Sequence, residues 1–256
     1  MNRKALNVIA SACLAIGGFV AAPAMAQESS SDWEISGNVA IANNYIYRGF
    51  TQTDGDFAIQ GGLDVSHSSG FYVGTWASNI DFLDQTVEED GDTVSSSIEI
   101  DVYGGFAGEF SNSMFSYDVG VIYYAYPGSP KGSSYDFVEF GFTLGADAGW
   151  ASFDVGLWFS PDFFGGIGDA LYIPINVAVP VNMGNGGPVG LEFSAGVGFS
   201  EYLDINDNYI DWNIGATISI EDWFDIDLRY YDTDIPSMYC KNICDARFVA
   251  AISREF

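Results

Sequence analysis

Positive charge is scarce in this chain. Eight lysines and arginines stand against 35 aspartates and glutamates, a formal charge of −27. Nucleic acid is excluded as a partner, because phosphate binding needs a basic footprint. Anionic membrane surfaces are disfavoured too, unless divalent cations bridge them. Histidine is almost missing: His67 is the single copy, in the polar stretch Ser66-His67-Ser68-Ser69. Serine acyl transfer usually needs a positioned histidine base, so no enzyme is expected. Long apolar runs are missing as well, except at the start. There Asn2-Arg3-Lys4, an apolar run from Ala5 to Val20 and Ala24-Met25-Ala26 read as a cleaved secretory signal peptide over 1–26. Arg3, Lys4 and Cys13 leave with it, so six basic residues face 35 acidic ones and the formal charge becomes −29. A short lead, 27–32, follows. If the remainder crosses a membrane it must do so as a closed barrel, the only other fold that pairs every backbone group.

Aromatic and apolar residues are plentiful, so this is not a disordered acidic tail. They recur every second residue. In the closing segment 246–256, Phe248, Ala250, Ile252 and Phe256 share one face, and Arg247, Val249, Ala251, Ser253 and Glu255 share the other. Arg254 alone stands on the apolar face, near enough to the end to snorkel into headgroups. A final strand with nothing to cover it needs a partner already in place, and pairing with the first strand would remove both edges. Comparable alternation marks 33–41, 57–65, 98–106, 115–123, 138–144, 153–159, 171–179, 191–199, 210–220 and 224–230. The segment 71–80 alternates less cleanly and its faces cannot be assigned. Twelve strands of bilayer-crossing length are expected over 33–256.

A secreted β-sandwich would also show one dry and one wet face. The connections separate the two folds. Links 66–69, 111–113, 147–149 and 221–222 are short, and 182–188 is slightly longer. Links 43–55, 81–95, 127–134, 161–169, 201–208 and 232–245 are long. This alternation is expected of an all-β, antiparallel, up-and-down transmembrane barrel and not of Greek-key crossovers. Trp33, Phe115, Trp150, Trp223 and Phe256 fall near the short turns, and Tyr123, Phe159, Tyr209 and Tyr230 towards the long loops. They read as two interfacial girdles.

The stretch 44–82 contains Tyr47-Arg48-Gly49, Gln52, Gln60-Gly61-Gly62 and the block from Ser66 to Tyr72. With Cys244-Asp245-Ala246-Arg247 near the end, it resembles the opening and closing blocks of the proteobacterial Gcw_chp family, also called TorF-family porins. The ending on Phe256 resembles the terminal strand of bacterial outer-membrane barrels, and Phe256 is read as a membrane-assembly signal. The resemblance implies outer-membrane location in a Gram-negative cell and pore function, without naming a solute. Its expected partners are outer-membrane lipid and lipopolysaccharide, the barrel-assembly machinery and small solutes.

If the apolar faces meet lipid, the opposite faces line the interior. They carry Glu34, Asp64, Glu99, Asp101, Asp118, Glu139, Asp154, Glu192, Asp211, Asp225 and Asp227, against Arg48, Arg229 and Arg247. An acidic wall favours cations in a water-filled passage. The alternative is that these acids are protonated, paired or at the mouths. Interior glycines (Gly62, Gly105, Gly120, Gly141, Gly156, Gly196, Gly198, Gly215) either open the bore or relieve curvature. Tyr103, Tyr124, Trp158 and Tyr172 point inward and narrow or plug it. Cys240 and Cys244, in the last long loop, are expected to form a local disulfide in an oxidising compartment, with metal binding the weaker alternative. The run Glu88-Glu89-Asp90-Gly91-Asp92, with Asp81 and Asp84, lacks calcium-loop spacing and reads as a solvated loop. No metal or cofactor is expected. The functional expectation is passive passage of small cationic or neutral solutes. A non-conducting barrel serving as surface receptor or structural element comes second, and a soluble sandwich third.

Overall fold

In a computed structural model, the residues described are 32–81, 86–87, 93–111, 113–182, 187–221 and 223–256. The expected signal peptide, most of the lead, Asp84 and the acidic run 88–92 lie outside them. The barrel strands are β1 (Trp33–Ala42), β2 (Ala58–His67), β3 (Phe71–Asn79), β4 (Ile98–Glu109), β5 (Phe115–Ala125) and β6 (Phe137–Asp147). They continue as β7 (Ser152–Ser160), β8 (Ala170–Pro180), β9 (Val189–Tyr202), β10 (Asp207–Ile220), β11 (Phe224–Thr233) and β12 (Arg247–Glu255). Each pairs antiparallel with its sequence neighbour, and β1 pairs with β12, so among the described residues twelve strands form one closed barrel. Closure rules out the sandwich.

The seam is closed from both ends. Asn38–Ala42 lie against Ala251–Glu255, and Gly37 and Phe256 exchange backbone hydrogen bonds of 2.8 and 2.9 Å. At the other end Asn43 extends the ladder with its side chain: Oδ1 accepts from the Ala250 amide at 2.8 Å and Nδ2 donates to the Phe248 carbonyl at 3.3 Å.

Alternation decides which side faces out. Ile35, Phe57 and Ile59 are about 70% exposed on the exterior, while Glu99, Asp101 and Glu139 are buried inside. This reverses the soluble-protein pattern and suits a lipid-facing wall. The structure also assigns β3: Tyr72, Gly74, Trp76 and Ser78 face inward. Small residues on both of its faces blur the alternation there. Two expectations fail. Tyr209 belongs to no girdle; it turns inward and is 6% exposed. The link expected over 201–208 shrinks to four residues, because Glu201 and Ser200 still pair with Asn208 and Tyr209 in a hairpin that outruns the apolar zone.

The interior glycines follow a third course. A Cβ at Gly141 would run into the Trp158 indole, at Gly105 into the Tyr72 hydroxyl, at Gly198 into Tyr172 and Asp211, and at Gly215 into Arg229. They are seats for large side chains from neighbouring strands. Glycine here lets the barrel fill, which a wide-open bore would not require.

Candidate functional site

The bore divides into two halves with different chemistry. The half towards the long loops is filled by the first of those loops, 43–57, which folds inward. Tyr45, Ile46, Thr51, Gln52 and Thr53 are all buried. Nothing in its sequence is periodic, yet it is held at several points. Asn44 Oδ1 accepts from Thr51 Oγ1 at 2.5 Å and from Thr53 Oγ1 at 3.0 Å. The Thr51 amide donates to the Ile243 carbonyl at 2.8 Å and the Asp81 amide to the Gln52 carbonyl at 2.7 Å, which ties this loop to two others.

The tip is a hairpin in which Ile46–Tyr47 pair with Phe50–Thr51. Arg48 and Gly49 at its turn have φ of 48° and 86°, the left-handed geometry of a tight hairpin connection. Glycine is required at the second position, since a Cβ on Gly49 would strike Thr233. This explains the Tyr-Arg-Gly block in physical terms. The turn drives Arg48 into the wall, where Nη2 meets Glu139 Oε2 at 2.6 Å. Tyr124 and Tyr47 hydroxyls donate to the same carboxylate oxygen at 3.0 and 3.4 Å. The Arg48 guanidinium lies 4.0 Å from the Tyr172 ring centroid and 4.8 Å from that of Tyr47. The Tyr209 hydroxyl donates to the Arg48 carbonyl at 3.0 Å. Burial alone would lower the Arg48 pKa, but Glu139 reverses this and holds it above its ordinary value, so the group stays charged.

Beside the tip, Tyr45 donates to Glu99 Oε1 at 2.9 Å. Burial first, then the neighbouring Glu99 carboxylate, push the Tyr45 phenol well above its ordinary pKa, so it remains a donor. Asp101, paired across the sheet with Trp76 and Tyr124, is fully buried, and neither of its carboxylate oxygens has a hydrogen-bond partner. Around these groups Phe137, Trp158, Phe163, Tyr126 and others complete an apolar plug.

The half towards the short turns is polar and less filled. Asp64, Asp154 and Glu192 are each partly exposed. Tyr103 donates to Asp64 at 2.6 Å and Asn176 to Asp154 at 2.8 Å. Arg229 is fully engaged: Nε and Nη2 reach Asp227 at 3.2 and 3.0 Å, Nη1 reaches Asn213 at 2.7 Å, and Nη2 reaches Ser194 at 2.7 Å.

The sequence-derived residues thus separate into groups. Arg48, Glu99, Asp101 and Glu139 gather under the first loop. Asp211 is buried nearby, where it accepts from the Tyr172 hydroxyl at 3.3 Å, whereas Asp118 is buried towards the short turns, where it accepts from the Tyr72 hydroxyl at 3.0 Å. Asp64, Asp154, Glu192, Asp227 and Arg229 line the other half. Arg247 instead sits where β12 meets the last loop and donates to the Asn242 carbonyl at 2.8 Å, while Glu34 is exposed at the short-turn mouth. Cys240 and Cys244 are disulfide-bonded, with Cα atoms 5.8 Å apart, and Cys240 is the last residue of the one-turn helix Ser237–Cys240. Among the described residues no group of His, Cys, Asp and Glu has metal-ligand geometry. Sequence reasoning missed Tyr45, Tyr47 and Trp76. The two tyrosines flank Arg48 in the recognisable block, but only the inward fold of the loop gives them partners.

The barrel resembles solved outer-membrane structures. Its TM-score with the KdgM porin is 0.55 at 9% identity, covering 87% of this chain and 98% of that one. The KdgM porin in complex with disordered oligogalacturonate gives 0.55 at 8%, covering 87% and 98%. An outer membrane channel from Pseudomonas putida F1 gives 0.49 at 10%, covering 92% and 100%. At these identities the likeness is one of fold. No curated protein matches the sequence. The sequence matches the family described as a bacterial protein of unknown function, Gcw_chp, over residues 26–256, and the chain belongs to that family.

Proposed function

We propose that this porin-like barrel sits in the outer membrane, delivered by a cleaved signal peptide, and passes small cationic or neutral solutes passively. The short-turn end faces the periplasm, and the long loops face outward. One observation carries the charge preference. Arg48 and Arg229 are both engaged with carboxylates, whereas Asp64 and Asp154 are held by neutral donors. The arginines are spent and the acids keep their field, so a water-filled path along this wall favours cations. The first loop and its aromatic surroundings make the outer half the narrow part of the path. A passive role also fits His67. It lies at a short turn, where its Nδ1 accepts from the Ser69 amide at 3.1 Å and stands 2.8 Å from Ser69 Oγ, and its ring is 4.6 Å from Trp33, so the ring caps the turn locally.

The plug itself favours a second reading, a non-conducting barrel whose outer surface is the working part. Planar-bilayer conductance of the folded protein under a salt gradient separates the two. Discrete steps with a cation-selective reversal potential are expected. Anion selectivity would overturn the charge argument, and silence from protein shown to be inserted would favour the second reading.

A further inference from the structure

The surroundings of Arg48 have the composition of a receptor for an organic cation. Tyr172 on β8 offers its face at 4.0 Å, and Phe163, in the link before β8, lies 5.7 Å away. Glu139 on β6 supplies a carboxylate already oriented by the Tyr124 hydroxyl. These three groups belong to the wall and its links, and none depends on the first loop for its position in the chain. A planar guanidinium suits such a place, because it stacks on an aromatic face while its N–H fork meets a carboxylate.

Two further observations bear on the site. The residue that fills it is presented by the two-residue turn of the hairpin at the tip of the first loop, where Arg48 has a φ of 48°. In addition, Asp101 stands beside Tyr124 with both carboxylate oxygens buried and unmet. A buried carboxylate without donors is rare. Arg48 meets Glu139, while Asp101 lies across from Tyr124 on the neighbouring strand. A free guanidinium brings the same N–H fork as Arg48 without its backbone constraint.

We propose that this cage is a binding site for small guanidinium-class solutes, that Arg48 is its tethered occupant, and that an arriving solute displaces Arg48 and releases the first loop from the bore. The release step rests on the channel reading above; the binding step does not. A tethered group competes at an effective concentration of about millimolar or more. Displacement therefore needs solute in that range, and removal of Arg48 lowers the requirement.

The test uses the full folded protein and methylguanidinium chloride, with sodium chloride at equal ionic strength as the control. Binding is read as a saturable rise in melting temperature in detergent. Arg48→Ala is expected to show it at least tenfold below the concentration wild type needs, and Arg48→Ala/Glu139→Gln is expected to lose it. Should Arg48→Ala fail to refold, Arg48→Gln keeps the side-chain stem and serves the same comparison. No saturable rise in either Arg48 variant, or an equal rise in the Glu139→Gln double variant, overturns the site. In planar bilayers, methylguanidinium is expected to raise the open fraction of wild type. Conductance that ignores methylguanidinium overturns release while the channel reading stands. Binding without conductance in any variant overturns the channel reading and the release step and leaves the site intact.

Discussion

Substitution of Gly141 by alanine probes whether the bore is filled by design. Gly141 lies on the inner face of β6 under the Trp158 indole, and an added Cβ would overlap the ring at Cζ3, Cε3 and Cη2. The indole is rigid and buried within the apolar cluster, and the backbone of Gly156 lies at its Nε1 edge, where a Cβ would stand 3.0 Å away. It cannot swing away cheaply. Overpacking of this kind costs about 1–3 kcal/mol. Against it stands a gain of about 0.4–1 kcal/mol from restricting the unfolded chain. The net expectation is a loss of about 1–2 kcal/mol, a five- to thirtyfold shift in the folding equilibrium. Gly190→Ala is the control, because its Cβ would meet only the Ser219 side chain, Cβ at 3.4 Å and Oγ at 3.9 Å, on an exposed stretch of β9. It should be neutral or slightly stabilising. Urea unfolding of the detergent-folded protein reads both. With a slope of about 2 kcal/mol per molar, Gly141→Ala lowers the midpoint by roughly 0.5–1 M. A Gly141→Ala midpoint at or above wild type would refute the seating argument, and with it the account of why these glycines occur.

Neutralising Asp64, Asp154 and Glu192 together, as Asn, Asn and Gln, should move the reversal potential towards zero. Glu99→Gln, buried beneath the loop, should change open fraction and leave selectivity alone. Equal effects would undo the division of the bore into two halves. Deleting Phe256 removes two backbone bonds to Gly37 and the ring packed upon it, about 1–3 kcal/mol at the seam. Less heat-resistant, fully closed barrel is expected on gels with secretion intact, and normal assembly would count against the seam's role. Replacing Cys240 and Cys244 by serine opens a loop closed over a sequence separation of four. A loss of about 2 kcal/mol is expected, with the barrel intact, read by the urea midpoint.

The strands were legible because each presents a long-range demand in local form. A wall with lipid outside and polar groups inside must alternate, and β9 or β12 could be read residue by residue. Legibility failed where that demand relaxes. Gly74, Ala77 and Ser78 are small enough for either face of β3, so only the pairing of Trp76 with Asp101 fixes the choice. Tyr209 looked like a girdle aromatic by position, but its parity on β10 sends it inward. The inward fold of 43–57 left no periodic trace at all. Its anchors, Ile243, Asp81 and Glu139, are remote in sequence, and only the Arg48-Gly49 turn hinted at a special backbone. Alternation puts the acids on the inward face, but sequence cannot say which are covered. Glu99 and Asp64 read alike until the loop is placed over one of them.

The seam has a temporal meaning beyond its geometry. Asn43 and Ala250, 207 positions apart, must meet before the sheet can shut. Contacts of such separation form late and slowly. Until then β1 and β12 are two open edges, each able to pair with any strand that presents itself. Even after closure, the described pairing of β12 with β1 runs over Asn38–Ala42, with Gly37 bonded to Phe256, while β2 runs along β1 from Trp33 to Ala42. The closing seam is therefore the shortest strand pairing of the barrel among the described residues, a remnant of the gap through which the growing sheet was closed.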